Sequence, residues 1–281
     1  MKISAKTKLC IIIGDPIEHS LSPAMHNAGY KELGIDDQFV FIGATVKSEN
    51  LEDAVKGARA IRIRGLTCTI PHKIAVMKYL DEVDETAKQI GAVNTVVNTD
   101  GILKGYNTDW LGVVNPLEKH TKLYGKKVAL IGAGGAAHAM AYGVLKKGAS
   151  LTVFNRTLKT AEELAESMKS IGYTMVVKAI AEIHLVADYD IILNSTILGM
   201  GAQVHETPVP KQFIKKNQIV FDAVYVPFET RLLQEAKEAG ATVIHGTEML
   251  LHQGLPQFEL YTGYKAPEEA MKSVLLSIGQ L

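Results

Sequence analysis

The sequence predicts an α/β protein of two domains, on three observations. Short β-branched runs alternate with helix-length segments along the whole chain. Six such runs follow one another in the second half, as a doubly wound parallel sheet requires. The 281 residues, 47% hydrophobic and 21% charged, are enough to bury more than one core.

In the first half, β-branched and apolar runs at 8–13, 38–44, 64–69 and 92–98 read as strands. Candidate helices lie between them at 23–33, 48–60 and 72–80, with another near 83–90. From residue 127 a second series begins, with strands expected at 127–131, 150–154, 174–177, 190–193, 219–221 and 242–244. The helix after Gly135 shows its period in Ala137, Met140, Ala141, Val144 and Leu145, and Lys146, Lys147 and Gly148 end it. Two more helical patterns, 249–261 and 267–278, exceed what the second sheet needs, so they are expected to return and cover the first domain. The expected division is therefore 1–109 with 246–281 in one domain and 110–245 in the other, with no Pro/Ser-rich linker between.

Composition excludes several classes of function. Thirty Lys and Arg balance thirty Asp and Glu, so the broad positive field used to bind nucleic acid or anionic membrane is missing. Two cysteines, Cys10 and Cys68, cannot build a disulfide framework or a cysteine zinc site, and they read as buried reduced thiols of a cytoplasmic protein. No run approaches the roughly 18 apolar residues of a membrane span. Nine histidines are present without a ligand-pair spacing such as HExxH, so no metal is expected.

The strongest local signal is Gly132-Ala133-Gly134-Gly135-Ala136, set between an expected strand and an expected helix. Such a loop lets the backbone approach a pyrophosphate while the helix N-terminus offers amide donors. A following strand ends about 23 residues beyond Gly132, which is the context a Rossmann dinucleotide fold demands. At that strand end an NAD-specific protein would place a carboxylate against the ribose, whereas this chain has Asn155-Arg156-Thr157. Arg156 can stack on adenine or hold a 2′-phosphate, and Asn155 and Thr157 can donate hydrogen bonds, so NADP is favoured, with NAD possible.

The first half offers candidates for chemistry whose plain structural explanations also stand. Ser22 can be an N-cap with Pro23 in the first helical turn, yet Ser20 beside it makes a pair of hydroxyls suited to a small carboxylate. Lys73, in Thr67-Cys68-Thr69-Ile70-Pro71-His72-Lys73, would fall in a first helical turn where the dipole eases deprotonation, although charge placement alone favours a surface lysine. In Asn107-Thr108-Asp109, Thr108 or Asp109 can be an ordinary cap. No serine-nucleophile signature occurs, which leaves redox chemistry at the cofactor as the best-motivated reaction.

Taken in order, the motifs resemble the shikimate dehydrogenase family, which includes shikimate/quinate dehydrogenases. They run from the segment Gly14 to Asn27, which carries Ser20-Leu21-Ser22-Pro23, through Thr69-Ile70-Pro71-His72-Lys73, Gly91-Ala92-Val93-Asn94-Thr95 and Gly105-Tyr106-Asn107-Thr108-Asp109. They continue with the glycine loop, Asn155-Arg156-Thr157, Asn194-Ser195-Thr196, Tyr225 with Pro227 and Thr230, Gly246-Thr247-Glu248-Met249-Leu250 and Gln253-Gly254. The resemblance implies an N-terminal α/β substrate domain, a Rossmann NADP-binding domain, and NADPH-dependent reversible reduction of 3-dehydroshikimate to shikimate in aromatic amino-acid biosynthesis. It implies that Lys73 is the acid/base and Asp109 its partner. Ser20, Ser22 and Tyr225 would lie at the substrate carboxylate, and Thr69, Asn94 and Gln253 at the ring hydroxyls. Thr196, Gly246 and Met249 would join the glycine loop and the Asn155-Arg156-Thr157 run around the cofactor.

Three departures from the family pattern bear on specificity. Thr67 replaces an asparagine and offers a single hydroxyl to the substrate ring, Thr160 replaces a further cation near the 2′-phosphate, and Val226 replaces an asparagine after the tyrosine. They open a rival reading, a quinate/shikimate dehydrogenase using NAD or NADP. A reading from another class is a non-catalytic dinucleotide- or metabolite-binding regulator, since fold alone does not give function. The partners expected are a small-molecule substrate and cofactor, with no nucleic acid and no membrane, acting as monomer or homodimer.

Overall fold

A computed structural model describes residues 3–279. Its helices and strands gather into two compact units, one made of residues up to Thr108 together with Gln253–Gly279, the other of Asp109–His252.

In the first unit the apolar run after Lys8 forms β1 (Lys8–Gly14). It is flanked in parallel by β2 (Phe39–Thr45) and β3 (Gly65–Cys68). The crossovers are α1 (Ser22–Glu32) and α2 (Leu51–Ala60). Helix α2 buries Leu51, Val55 and Ala58 at helical spacing against Ile13, Leu66 and Cys68. Beyond a short 3₁₀ turn at Ala75–Tyr79 come β4 (Glu82–Val83) and α3 (Glu85–Ile90). The Asp84 carboxylate caps α3 by accepting from Thr86 N at 2.9 Å, and Gly91 ends it at φ 75°. Strands β5 (Thr95–Thr99) and β6 (Ile102–Tyr106) complete the sheet, in the order β2-β1-β3-β5-β6-β4.

This sheet is mixed: β5 runs antiparallel to both β3 and β6. Neither β6 nor β4 was expected from the pattern, and the strand read at 92–98 begins only at Thr95. The missed signal was Asp100-Gly101, which turns the β5-β6 hairpin with φ of 52° and 92°. An Asp-Gly pair between β-branched runs favours such a two-residue turn, because both positions must adopt positive φ. The helix expected at 72–80 is also absent: residues 71–74 form turns, the Ile70–Pro71 bond is cis, and helical geometry appears only in the 3₁₀ segment.

The second unit opens with α4 (Asp109–Glu118), then alternates β7 (Lys127–Ile131), α5 (Gly135–Lys146), β8 (Ser150–Asn155), α6 (Leu158–Ser170) and β9 (Val176–Ala179). After them come β10 (Ile191–Asn194), β11 (Ile219–Asp222), α7 (Arg231–Glu238) and β12 (Thr242–Ile244). All six strands are parallel, in the order β12-β11-β10-β7-β8-β9, the doubly wound sheet expected from the alternation. The order reverses between β7 and β10, so the crevice beyond their C-terminal ends is the place where such sheets bind ligands. Helix α5 buries its expected stripe and also Ala139, Tyr142 and Gly143. Its outer face is covered by α4: a Cβ at Gly143 would lie 3.0 Å from Val114 and 3.3 Å from the Trp110 carbonyl.

Two helices end the chain, α8 (Gly246–Thr262) and α9 (Glu268–Gly279). They return to the first unit as expected, but the changeover falls at Gln253, inside α8, and not at residue 246. The return is tightly packed. A Cβ at Gly29 of α1 would lie 2.8 Å from Phe258 and 3.1 Å from Met271, and Arg64 donates to the Tyr261 carbonyl at 2.9 Å. Among the described residues no helix is long and apolar enough to cross a membrane.

Candidate active site

In the second unit the glycine loop leaves β7 at the switch point, and its glycines have different reasons to be glycine. Gly132 has φ 100°, and a Cβ there would sit 2.6 Å from Ser195 Oγ and 2.9 Å from Thr196, so the protein itself requires it. Gly134 and Gly135 have no neighbouring atom within 4 Å of the corresponding position. Nothing in the fold demands a missing side chain there. These bare residues begin α5, with Ala133 and Ala136 on either side, and leave room where a pyrophosphate would meet the amides of a twelve-residue helix. The donor set therefore fits a dinucleotide.

At the end of β8, Asn155 Nδ2 donates to the Thr157 carbonyl at 2.9 Å and closes the turn into α6. Arg156 and Thr157 are exposed, and Arg156 forms no ion pair among the described residues. The guanidinium thus stands beside a strand end that carries no acid, as recognition of a 2′-phosphate requires.

Behind the loop the motif residues Asn194, Thr196 and Thr230 meet in a buried polar knot around Asp222, a residue the sequence did not single out. Asn194 Oδ1 accepts from Thr196 N at 2.9 Å and from Thr196 Oγ1 at 2.7 Å, while its Nδ2 donates to Asp222 at 2.9 Å. The Asp222 carboxylate also accepts from Val224 N at 3.0 Å and from Thr230 Oγ1 at 2.6 Å. Asp222 is fully buried, and that burial raises its pKa against the lowering effect of these bonds. The knot fixes the turn that carries Tyr225, whose phenol burial pushes above its ordinary value. Gly246 packs onto the same turn, since a Cβ there would collide with the Val224 carbonyl. Met249 follows it, buried, on α8.

The first unit holds the other candidates. Ser22 is not the N-cap expected: it is the first residue of α1, Leu21 holds the cap position, and Ser20 Oγ accepts from Ser22 N at 3.3 Å. Ser20 therefore supplies the side-chain acceptor that Ser22 was expected to provide. Lys73 also departs from expectation, since it lies in a turn and not in a first helical turn. A helix dipole consequently gives no account of its chemistry. Its carbonyl accepts from Val93 N at 2.8 Å, which ties the lysine to the segment leading into β5. The adjacent His72 is buried and donates through Nε2 to the Val46 carbonyl at 2.6 Å.

Thr69 follows β3, half-buried, with its N–H on the Ile13 carbonyl at 3.0 Å. The Thr67 hydroxyl pairs with Tyr261 OH at 2.8 Å, a partner 194 residues away that the sequence did not disclose. Asn94 is the centre of this half. Its Oδ1 accepts from Thr95 Oγ1 at 2.7 Å and from Thr108 N at 2.9 Å, and its Nδ2 donates to Thr108 Oγ1 at 2.9 Å and Gln253 Oε1 at 3.4 Å. The structure thus brings Asn94 and Gln253 together. Asp109 is the buried first residue of α4, directly after Thr108. Among the described residues no group of three or more His, Cys, Asp or Glu could hold a metal ion.

Comparison with known proteins agrees along the whole chain. Residues 12–96 match the shikimate dehydrogenase substrate binding domain, 116–226 match the shikimate / quinate 5-dehydrogenase family, and 246–276 match the shikimate 5′-dehydrogenase C-terminal domain. A Nitrosopumilus maritimus protein named shikimate dehydrogenase (NADP(+)) is 43% identical over 272 residues, covering 96% of this chain and 98% of its own length. A shikimate dehydrogenase solved in complex with NADP+ is 38% identical with a TM-score of 0.93, over 98% of this chain and 97% of that one. The quinate dehydrogenase from Corynebacterium glutamicum, solved in complex with NAD, is 32% identical with a TM-score of 0.88, over 96% and 99%. With three consecutive domain matches and identity sustained from end to end, the chain belongs to the shikimate dehydrogenase family.

Proposed function

We propose that this chain is an NADP-dependent shikimate dehydrogenase that reversibly reduces 3-dehydroshikimate to shikimate. The observation that carries the reading is the near-complete alignment with relatives named for this reaction, 40–43% identical. The open cradle at Gly134 and Gly135 and the uncommitted Arg156 support it on physical grounds.

NADPH, when bound, supplies the hydride that reduces the substrate carbonyl carbon. The Lys73 ammonium then donates the proton that the carbonyl oxygen needs as it becomes a hydroxyl, and its charge stabilises that oxygen on the way. In the oxidative direction the same amine, unprotonated, takes the hydroxyl proton. Asp109 orients the substrate hydroxyl and the lysine. Ser20, Ser22 and Tyr225 bind the carboxylate, while Thr67, Thr69, Asn94 and Gln253 bind the ring hydroxyls. Gly132, Ala133, Gly134, Gly135, Ala136, Asn155, Arg156, Thr157, Thr196, Gly246 and Met249 form the cofactor site. The enzyme works in the cytoplasm as a monomer or homodimer.

A quinate/shikimate dehydrogenase able to use NAD is the second reading, favoured by one observation: Thr67 stands where the family has an asparagine, and its hydroxyl is already paired with Tyr261. Initial rates at 340 nm with shikimate or quinate and NADP or NAD separate the two. Turnover confined to shikimate with NADP supports the first. Strong quinate or NAD turnover supports the second, and silence in all four combinations overturns both. Lys73→Ala and Asp109→Ala should each lower turnover by about 10²- to 10⁴-fold with the fold intact. Undiminished turnover in both variants refutes their assignment.

A further inference from the structure

We infer that Thr95, held by Gln257, is a positioning residue that sets the Asn94 amide for substrate recognition; this rests on the function proposed above. Both side chains are fully buried, and they are held by one another and by Asn94.

Gln257 Nε2 donates to Thr95 Oγ1 at 2.8 Å. A hydroxyl that accepts there directs its own proton elsewhere, and Asn94 Oδ1 lies 2.7 Å away. Thr108 N donates to the same Oδ1 at 2.9 Å. Two donors on one oxygen leave the amide a single orientation, with Nδ2 on the side of Thr108 Oγ1 and Gln253 Oε1. Asn94 therefore presents its donor end toward the other ring-binding candidate. Gln257 also faces the fully buried imidazole of His26, so its amide sits between two buried polar side chains and holds Thr95 from one side.

Gln257 lies four residues after Gln253 on α8, so one face of one helix presents both the candidate ligand and the support of its neighbour. The relay is directional: an acceptor at 257 would take the Thr95 proton and turn the hydroxyl's lone pairs toward Asn94 Oδ1, where two oxygens would repel.

The test is steady-state kinetics of the full-length enzyme with melting temperatures recorded alongside. Thr95→Val, which keeps the shape and removes the hydroxyl, should raise KM for shikimate about tenfold and leave KM for NADP within twofold. Thr95→Ser, which restores the hydroxyl, should bring KM back to within about threefold of wild type. Gln257→Met removes the donor at nearly constant volume and should raise KM for shikimate severalfold, which keeps the question answerable if Thr95→Val does not fold. Variants that melt earlier but keep the wild-type KM for shikimate would overturn the inference by reducing the relay to core structure. A wild-type enzyme silent toward both shikimate and quinate would instead overturn the function and the inference together.

Discussion

Placing a side chain at Gly134 should separate cofactor binding from folding. Gly134 has φ −83° and ψ −170°, an extended backbone that valine adopts without strain, and a Cβ there meets no atom within 4 Å. Valine is a poorer N-cap than glycine, so Gly134→Val should cost about 0.5–1 kcal/mol, or a few degrees in melting temperature. Three added carbons would occupy the space in front of α5 where the pyrophosphate is placed. Hydrogen bonds to charged groups contribute about 1.5–3 kcal/mol each, so losing two of them raises KM for NADP by at least about a hundredfold. Gly132→Ala is the contrasting control. Its φ of 100° and the 2.6 Å approach of Ser195 Oγ predict a loss of about 2–4 kcal/mol and a melting point lower by about 5–15 °C. Differential scanning fluorimetry and NADP-dependent initial rates read both variants. A Gly134→Val enzyme that keeps its KM for NADP within threefold would refute the placement of the pyrophosphate on this loop.

Arg156→Ala should raise KM for NADP by about tenfold or more while KM for NAD and the melting temperature stay unchanged, since the guanidinium is exposed and forms no ion pair among the described residues. Asp222→Ala strands donors from Asn194, Val224 and Thr230 in the core and should lower stability by about 3–5 kcal/mol, seen as a fall of about 10 °C or more in melting temperature. Burial of His26 holds its pKa down to about 3, below the 6.5 of an exposed histidine, so the unfolded chain binds the extra proton between those values. The stability this group contributes is complete above about pH 6.5 and is lost as pH falls toward 3, reaching about 3 kcal/mol lost at pH 4.5. His26→Phe, which can still stack on Phe41, should flatten the acid side of the melting-temperature profile, and an unaltered slope would show that other groups govern it.

Much of the second unit was legible because its signals are local. A run such as Val128 to Ile131 buried on both faces, a glycine turn and a helix with apolar residues at three- and four-residue spacing need only nearby residues to be recognised. The first unit was read less well where local patterns mislead. Residues 72–80 have helix-like composition, yet 72–74 turn and only Ala75–Tyr79 become helical, as a 3₁₀ segment, and β6 was overlooked although Asp100-Gly101 announced its hairpin. Ser22 has the right residue type for a cap, yet the backbone sets the helix start one residue early and leaves Ser20 to bond the amide.

The sequence by itself determined the α/β class, the doubly wound sheet, the glycine loop and, through its motifs, the family and the residues to suspect. Only the tertiary structure decided which glycines answer to the protein's own packing and which leave space for a ligand. It alone decided that Thr67 pairs with Tyr261 and that Asn94 gathers Thr95, Thr108 and Gln253, a residue 159 positions away. The reason is physical. Periodicity and turn preference are properties of neighbouring residues, whereas the partner of a buried polar group is whatever donor or acceptor the folded chain brings within about 3 Å of it.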